Sequence, residues 1–390
     1  MTRRVAVTRY RLPGVLLLTL LLLGGCASSG DGFERAVEAP EASGEVQVRK
    51  IWSRRVAHGM DGQYLLLQPV VQDDQVFAAT EEGYVTAYNA RNGRRDWWVK
   101  LDAHLLGGVG SDGERLYVTS RNGQLIALSP EDGEQLWATD MPNEVLAPPQ
   151  SNGRLVVVQT IDSGLIAYDA RSGDKRWQFD SKAPVLSYRG TATPYVDNRL
   201  VVTGFDNGRL VALDVATGRV EWDYTVSTPS GRTELERLVD VDGSPVVVDG
   251  DVHVTGYQGR VAALDLITGV EQWSRPVSSL RSPAVSNGRV FVAAADGEMV
   301  GFSRQQRTQL WREEERLKWR RLTAPVTLGG HVLVGDFEGY LYALNQADGQ
   351  IEGRTLVDEK GLRSDMLRYR DRVILFGNGG QLASYRIVEN

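Results

Sequence analysis

The chain has 390 residues, of which 24% are charged and 42% hydrophobic, and its formal net charge is −6. An acidic balance argues against a nucleic-acid partner, and the length allows two or three average domains or one large repeat architecture. The 42 glycines follow no collagen-like period, so they predict many tight turns between short strands.

The N-terminus has the pattern of a secretory signal peptide. Four arginines precede an apolar run over residues 15–23 in which Thr19 is the one polar residue, and this run is too short to span a bilayer as a helix. The run ends in LGGC, and this motif resembles the bacterial lipobox. The resemblance implies that residues 1–25 are removed and that Cys26 carries the lipid. The alternative is an ordinary secretory signal with an incidental cysteine.

Removal of the signal peptide has consequences for the mature chain. The formal charge becomes −10, because residues 1–25 hold four arginines and no acid. Cys26 is the only cysteine, which excludes a disulfide, a cysteine nucleophile and a thiolate metal site in the folded body. Acyl chains, not charge, would hold the protein at the membrane. Residues 26–45 are small, polar and acidic, and they predict a lipidated flexible tether.

A repeat of about 40 residues organises the remainder. Its tryptophans are 38 to 51 residues apart: Trp97, Trp137, Trp177, Trp222, Trp273 and Trp311. A glycine that opens the last phrase of each unit repeats in step: Gly83, Gly123, Gly164, Gly208, Gly259, Gly297, Gly339 and Gly380. Eight such units are typical of a propeller.

Each unit predicts four antiparallel strands. Turns separate four stretches in each unit: an apolar stretch, a β-branched run such as LVVV, an alternating stretch such as GRLVALD and the tryptophan strand. The sequence therefore predicts an all-β, eight-bladed propeller over residues 46–390. The last unit lacks its outer strand, whereas VRKIWSRRV around Trp52 has no blade of its own, so the N-terminal strand should close the last blade. The seventh unit has Gly353 in the tryptophan slot, which predicts weaker packing there, with Trp319 a candidate cover.

Two units match a known repeat. ALDVATGRVEW over 212–222 and ALDLITGVEQW over 263–273 resemble the tryptophan-docking repeat of quinoprotein-dehydrogenase-like propellers. The resemblance implies that each tryptophan packs between neighbouring blades. Enzymes of that family hold a quinone with calcium and commonly use adjacent cysteines. This chain has no such pair and no long insertions, and its four histidines lack zinc-ligand spacing. We therefore expect no catalytic residue, cofactor or metal.

Two long connections between units are the candidate binding segments. The first contains Leu186, Tyr188 and Arg189, and the second a helix-like TELERLV followed by Asp240 and Asp242. Tyrosine and arginine are favoured anchors of interfaces, and the aspartates could meet a basic partner. The alternatives are that Leu186 and Tyr188 enter the core as a strand, and that the aspartates are a turn cap or a solvated face.

These connections carry a narrower resemblance. LSYRG over 186–190 and ERLVDVD over 236–242 resemble the partner-binding segments of the B-subunit lipoproteins of the outer-membrane β-barrel assembly machinery (BamB family). The resemblance implies a scaffold on the periplasmic side of a Gram-negative outer membrane, which binds a POTRA domain of the barrel-forming subunit and also offers strand edges to unfolded outer-membrane proteins.

Carried over, Leu186 and Tyr188 would supply apolar contact, Arg189 a bidentate donor, and Asp240 and Asp242 complementary charge. The alternatives are a periplasmic quinone-dependent oxidoreductase and a cell-envelope propeller with another partner.

Overall fold

The computed structural model describes residues 35–56, 66–181, 192–233 and 235–390. These residues form 33 strands and no α-helix, so no helix among them could cross a membrane. Residues 36–390 form one compact unit.

The first half of the chain supplies blades 1 to 4. In chain order, β1 is Val46–Arg55 and β2 is Leu66–Leu67; blade 1 is β3 (Val70–Gln72), β4 (Gln75–Ala79), β5 (Tyr84–Asn89) and β6 (Arg95–Lys100); blade 2 is β7 (Leu105–Ser111), β8 (Leu116–Ser120), β9 (Gln124–Leu128) and β10 (Gln135–Asp140); blade 3 is β11 (Gln150–Ser151), β12 (Leu155–Gln159), β13 (Gly164–Asp169) and β14 (Lys175–Asp180); blade 4 is β15 (Tyr195–Val196), β16 (Leu200–Gly204), β17 (Arg209–Asp214) and β18 (Val220–Thr225).

The second half supplies blades 5 to 8. Blade 5 is β19 (Val246–Val248), β20 (Asp251–Thr255), β21 (Val261–Asp265) and β22 (Glu271–Arg275); blade 6 is β23 (Ala284–Ser286), β24 (Arg289–Ala293), β25 (Met299–Ser303) and β26 (Gln309–Glu313); blade 7 is β27 (Val326–Leu328), β28 (His331–Gly335), β29 (Tyr340–Asn345) and β30 (Ile351–Leu356); blade 8 is β31 (Leu367–Tyr369), β32 (Arg372–Phe376) and β33 (Gln381–Glu389), joined by β1.

The predicted eight-bladed propeller and its closure are confirmed. Each blade is an antiparallel sheet in chain order, and blade 2 gains a fifth, parallel strand from β2. The outer strand β1 pairs antiparallel with β33 from Val46 opposite Glu389 to Arg55 opposite Gln381. Middle strands such as β12 are buried on both sides, whereas the outer strand β14 alternates between exposed and buried residues. The core therefore lies between neighbouring sheets, as expected when each sheet is covered on both faces.

The two faces of the propeller carry different loops. Successive antiparallel strands reverse direction, so the turn between the second and third strands lies at the same end as the connection to the next blade. Hydrogen bonds join the two in blade after blade, for example from the N–H of Ser181 to the carbonyl of Ser163 at 3.0 Å and from Val226 to Gly208 at 2.9 Å. We call this side of the propeller the connection face.

Where a blade carries the repeated tryptophan, the ring packs against the next blade, as the resemblance to the tryptophan-docking repeat implied. Trp177 lies over the third turn of blade 4, where a Cβ on Gly218 would stand 2.7 Å from its ring carbon Cδ2. Six indoles donate Nε1–H to a carbonyl of the following blade: Trp52 to Ala90 (2.9 Å), Trp97 to Pro130 (3.0 Å), Trp137 to Ala170 (3.1 Å), Trp177 to Val215 (2.8 Å), Trp222 to Leu266 (3.0 Å) and Trp311 to Gln346 (3.0 Å). The rings are thus core residues with a satisfied polar atom.

Blade 7 lacks its tryptophan for a topological reason. In blade 8 the third and fourth strands come from opposite ends of the chain, so no turn glycine is present for a ring to cover. A Cβ on Gly353 would lie 2.9 Å from Cγ2 of Val46, and the buried side chains of Val46 and Val48 partly fill the slot. The backbone N–H of Trp319 donates to the carbonyl of Asp296 in blade 6 at 2.6 Å, and cover of the slot by its ring stays a prediction.

Residues 36–44 form a strap across the outside of blade 7. The N–H of Val37 donates to the carbonyl of Lys318 at 3.2 Å, and that of Ser43 to Ile351 on β30 at 2.9 Å. Arg354 donates to the carbonyl of Pro40 at 2.8 Å. The predicted tether over 26–45 is therefore bound to the propeller along its last part, and the compact unit begins at Ala36 rather than at residue 46.

A buried arginine holds the start of the strap. The side chain of Arg320 is fully buried; Nη1 donates to the carbonyl of Val37 at 2.7 Å and Nε to Oδ2 of Asp336 at 2.7 Å. The hydroxyl of Tyr342 donates to the same carboxylate oxygen at 2.9 Å. The cation is thus compensated by a buried carboxylate, and its spare donor fixes the strap.

Candidate partner-binding site

The first predicted binding segment lies outside the described residues. Leu186, Tyr188 and Arg189 fall within 182–191, so their contacts stay predictions. The described chain resumes at Ala192, three residues after Arg189. Ala192 itself lines a small cavity of about 10 Å³ on the connection face, between blades 3 and 5. The first described residue after the first segment, Ala192, therefore lies at the cavity that Asp240 and Asp242 of the second segment also line.

The cavity brings together residues from blades 3 and 4 and from the connections that follow them. It is lined by Gln159, Thr160, Ile161, Ser163, Ala192, Gly204, Asp206, Asp240 and Asp242. Asp240 and Asp242 come from the long connection that leads from blade 4 to blade 5, and Asp206 from the second turn of blade 4. Three carboxyl groups thus lie around a space that holds about one water molecule.

Asp240 is the most deeply placed of the three. Only 1% of the residue is exposed, and no hydrogen bond reaches its Oδ2. Its backbone carbonyl accepts the N–H of Tyr257 at 2.7 Å, which fixes the connection to blade 5. Burial raises the pKa of the Asp240 carboxyl, and the charges of Asp242 and Asp206 raise it further. Asp240 is therefore a buried acid, not the solvated turn residue that the sequence left open.

Asp242 lies nearer the surface and is half-buried. Its pKa is raised by burial and by Asp206, while the positive charge of Arg281 acts in the opposite direction. The Nε of Arg281 donates to the carbonyl of Leu322 at 3.0 Å, and this single guanidinium faces three carboxyl groups. Asp206 accepts a hydrogen bond from the hydroxyl of Ser163. Within the described ranges the cluster is therefore under-compensated, which favours an incoming cation.

Exposed apolar side chains accompany the carboxyl groups. Leu235 is 71% exposed and Ile161 is 38% exposed, both on the connection face. The predicted helix-like stretch forms a turn instead, in which Glu236 accepts the backbone N–H groups of Arg232 at 2.6 Å and Thr233 at 3.2 Å. This turn presents Leu235 to solvent, while the exposed Ile161 lines the acidic cavity itself. Apolar contact and negative charge are thus available side by side.

Sequence reasoning missed Asp206, Ile161 and Leu235. Asp206 stands in the turn FDNG, which looks like any other turn between two strands. Only the approach of blades 3, 4 and 5 distinguishes it. No group of three or more His, Cys, Asp or Glu residues positioned to hold a metal ion occurs in the part of the chain that the structure describes.

The fold and the site together define a class: an eight-bladed propeller with docking tryptophans, whose acidic, partly apolar surface lies on the interblade connections. A family model described as "Outer membrane protein assembly factor BamB" matches residues 81–313 and 279–376. The chain belongs to the BamB family.

Known proteins of this family are similar to this chain over nearly its whole length. The outer membrane protein assembly factor BamB of Marinobacter adhaerens is 52% identical over 386 residues, covering 98% of both chains. That of Pseudomonas aeruginosa is 44% identical and covers 95% of this chain and 98% of its own.

Among solved structures, BamB from Moraxella catarrhalis matches with a TM-score of 0.80 at 30% identity, over 87% of this chain and 99% of that one. The quinohemoprotein alcohol dehydrogenase from Comamonas testosteroni matches with a TM-score of 0.66 at 14% identity, a likeness that concerns the fold alone.

Proposed function

We propose that this chain is a non-catalytic assembly factor for outer-membrane proteins in a Gram-negative bacterium, anchored through Cys26 and facing the periplasm. Its role is to hold the periplasmic POTRA region of the barrel-forming subunit on the connection face and so assist insertion of outer-membrane proteins. Family membership supports the general role. The under-compensated carboxyl cluster beside the exposed Ile161 is the observation that supports this face as the binding site.

The burial of each residue of the site determines which contact it can make with the partner. Asp240 lies too deep, beside a cavity of about 10 Å³, for a guanidinium or ammonium group to reach it. Asp242 is half-buried at the rim, so it is the carboxylate that receives a cation of the partner. Leu235 and Ile161 supply apolar contact around it, and Leu186, Tyr188 and Arg189 of the neighbouring connection complete the surface.

Capture of the partner tests this proposal. The chain from Ala27 onward retains the whole compact unit, and we expect it to capture the purified POTRA segment of the barrel-forming subunit. Arg189→Glu should abolish capture and Asp242→Asn should weaken it, because each removes one side of a charge pair at an interface. Asp240→Asn should leave capture intact, because Asp240 is buried.

Matched controls lie on the opposite face of the propeller. Arg171 is exposed in the third turn of blade 3, and Asp348 in that of blade 7. Arg171→Glu and Asp348→Asn should not change capture. Capture that survives Arg189→Glu and Asp242→Asn would keep the partner but move the site. No capture at high protein concentration would refute the assembly role.

A further inference from the structure

The outer strand of blade 8 differs in charge from every other outer strand. β1 contains Arg49, Lys50, Arg54 and Arg55 and no acidic residue. Each of the other seven outer strands carries at least one aspartate or glutamate. In a chain whose net charge is negative, this strand is a local concentration of positive charge.

These cations point to solvent. Arg49, Lys50, Arg54 and Arg55 are all exposed. Arg49 and Lys50 line an open groove of about 450 Å³, and neither of these two side chains forms an ion pair with any residue that the structure describes. Arg354 of blade 7 and Glu41 of the strap line the same groove and pair with each other. Arg54 donates Nε–H to the carbonyl of Gly93 at 2.8 Å. The charges of Arg49 and Lys50 are therefore available to an external anion.

The next blade extends this surface with an aromatic ring. Trp98 on β6 is 51% exposed. It lines a cleft of about 270 Å³ with Arg55 of β1 and Arg95 of its own strand. The ammonium group of Lys100 lies 5.0 Å from the ring centroid of Tyr84 in the same blade. We call Arg49, Lys50, Arg54, Arg55, Arg95, Lys100 and Trp98 the basic wall.

We propose that the basic wall is a docking surface for an anionic lipid bilayer. Its cations are spread along two outer strands and do not converge on one pocket, which suits an extended plane of headgroups better than a single ligand. Each Lys or Arg near an anionic surface adds to membrane affinity, and an exposed tryptophan is favoured at the interface between headgroups and hydrocarbon.

The strap lies beside this wall. It lies on blade 7, next to β1, and its first residue, Ala36, follows Cys26 by ten positions in the sequence. This part of the inference rests on the proposed anchoring at Cys26. A stretch of that length reaches at most about 35 Å when fully extended, so an anchored propeller stays within that distance of the bilayer.

The basic wall and the partner site can act together. The wall belongs to blades 8 and 1, whereas the acidic cavity belongs to blades 3 to 5, on the other side of the ring. Contact of the wall with lipid thus leaves the connection face of blades 3 to 5 open to the partner.

Vesicle co-sedimentation tests the proposal without the acyl chains. The unlipidated chain from Ala27 should bind vesicles of phosphatidylglycerol and phosphatidylcholine in equal parts at low salt. It should not bind pure phosphatidylcholine, and about 1 M salt, where the Debye length is ~3 Å, should release it. The double variant Arg49→Gln with Lys50→Gln should lower the partition coefficient about tenfold or more.

The control variant changes an exposed basic pair on another outer strand. Lys175→Gln with Arg176→Gln on β14 should leave vesicle binding unchanged. Absence of binding to anionic vesicles at low salt would overturn the proposal, as would equal losses in both double variants. Displacement by inorganic phosphate at matched ionic strength would indicate a discrete anion site instead, and binding of an acidic peptide but not of vesicles would indicate a protein partner. Capture of the POTRA segment, measured on the same variants, should be unaffected, so failure here is distinguishable from failure of the proposed function.

Discussion

The seam between blades 3 and 4 gives a sharp test of how the propeller is locked. Gly218 has a φ of 69°, and a Cβ at this position would lie 2.7 Å from both Cδ2 and Cε3 of the Trp177 ring. Gly218→Ala therefore has two effects: it places alanine in the left-handed region, and it pushes against the docked indole. Gly153, in the first turn of blade 3, has a φ of 83°, and a Cβ added there would have nothing within 4 Å, so Gly153→Ala has only the first effect.

The expected difference follows from these two effects. The left-handed conformation costs an L-residue about 1–2 kcal/mol, and this cost is common to both variants. Overpacking adds about 1–3 kcal/mol, and only Gly218→Ala incurs it. A compact unit of this size has a melting entropy of about 0.7 kcal/mol/K. We therefore expect Tm to fall by about 3–7 °C for Gly218→Ala and by about 1–3 °C for Gly153→Ala.

Differential scanning calorimetry measures both shifts, and near-UV circular dichroism reports whether the indoles keep their rigid environment. The Nε1–H of Trp177 donates to the carbonyl of Val215 at 2.8 Å, so displacement of the ring should also weaken its near-UV band in Gly218→Ala only. Equal Tm shifts in the two variants, with unchanged spectra, would show that the close docking of ring and turn does not stabilise the seam.

Three further outcomes are expected. Arg320→Met should lower the free energy of unfolding by about 3–5 kcal/mol, because it leaves the carboxylate of Asp336 buried without its cation. The double variant Arg320→Met with Asp336→Leu should recover much of that loss. Thermal melts of both variants measure the two effects. Burial raises the pKa of Asp240, so the folded protein keeps a proton that the unfolded chain releases above the ordinary carboxyl range, and the free energy of unfolding should fall as the pH rises from about 4 towards neutrality. Asp240→Asn should raise Tm at about pH 8 and flatten this pH dependence. An unchanged pH profile of Tm in this variant would contradict the prediction. Gly353→Trp should lower Tm instead of restoring a missing lock, because Val46 already occupies the slot; a higher Tm would show that the slot is open to a ring.

The repeat pattern in the sequence was sufficient to predict most of the fold. The period of about 40 residues, the turn glycines and the alternating strands are local features, so each blade could be read from its own segment. The closure by Trp52 also followed from counting, because one outer strand was missing at one end of the chain and one was left over at the other. The sequence also showed that the tryptophan is absent at Gly353, but it did not show why. The reason is that the two ends of the chain meet in blade 8.

The sequence by itself thus determined the architecture and the family, because the same short-range pattern of turns and apolar residues is written eight times. The face proposed for binding emerged only from the tertiary structure. Asp206 and Asp240 have the local sequence of ordinary turns, and they line one cavity only because blades 3 and 4 and the connection to blade 5 converge on it. Burial there, with the charges of Asp242 and Asp206, raises the pKa of Asp240. The exposure of Trp98 beside the cations of β1 arises in the same way, because closing the ring places the first strand of the chain against blade 1. Burial and charge repulsion depend on distances between blades, and a repeat pattern holds no information about those distances.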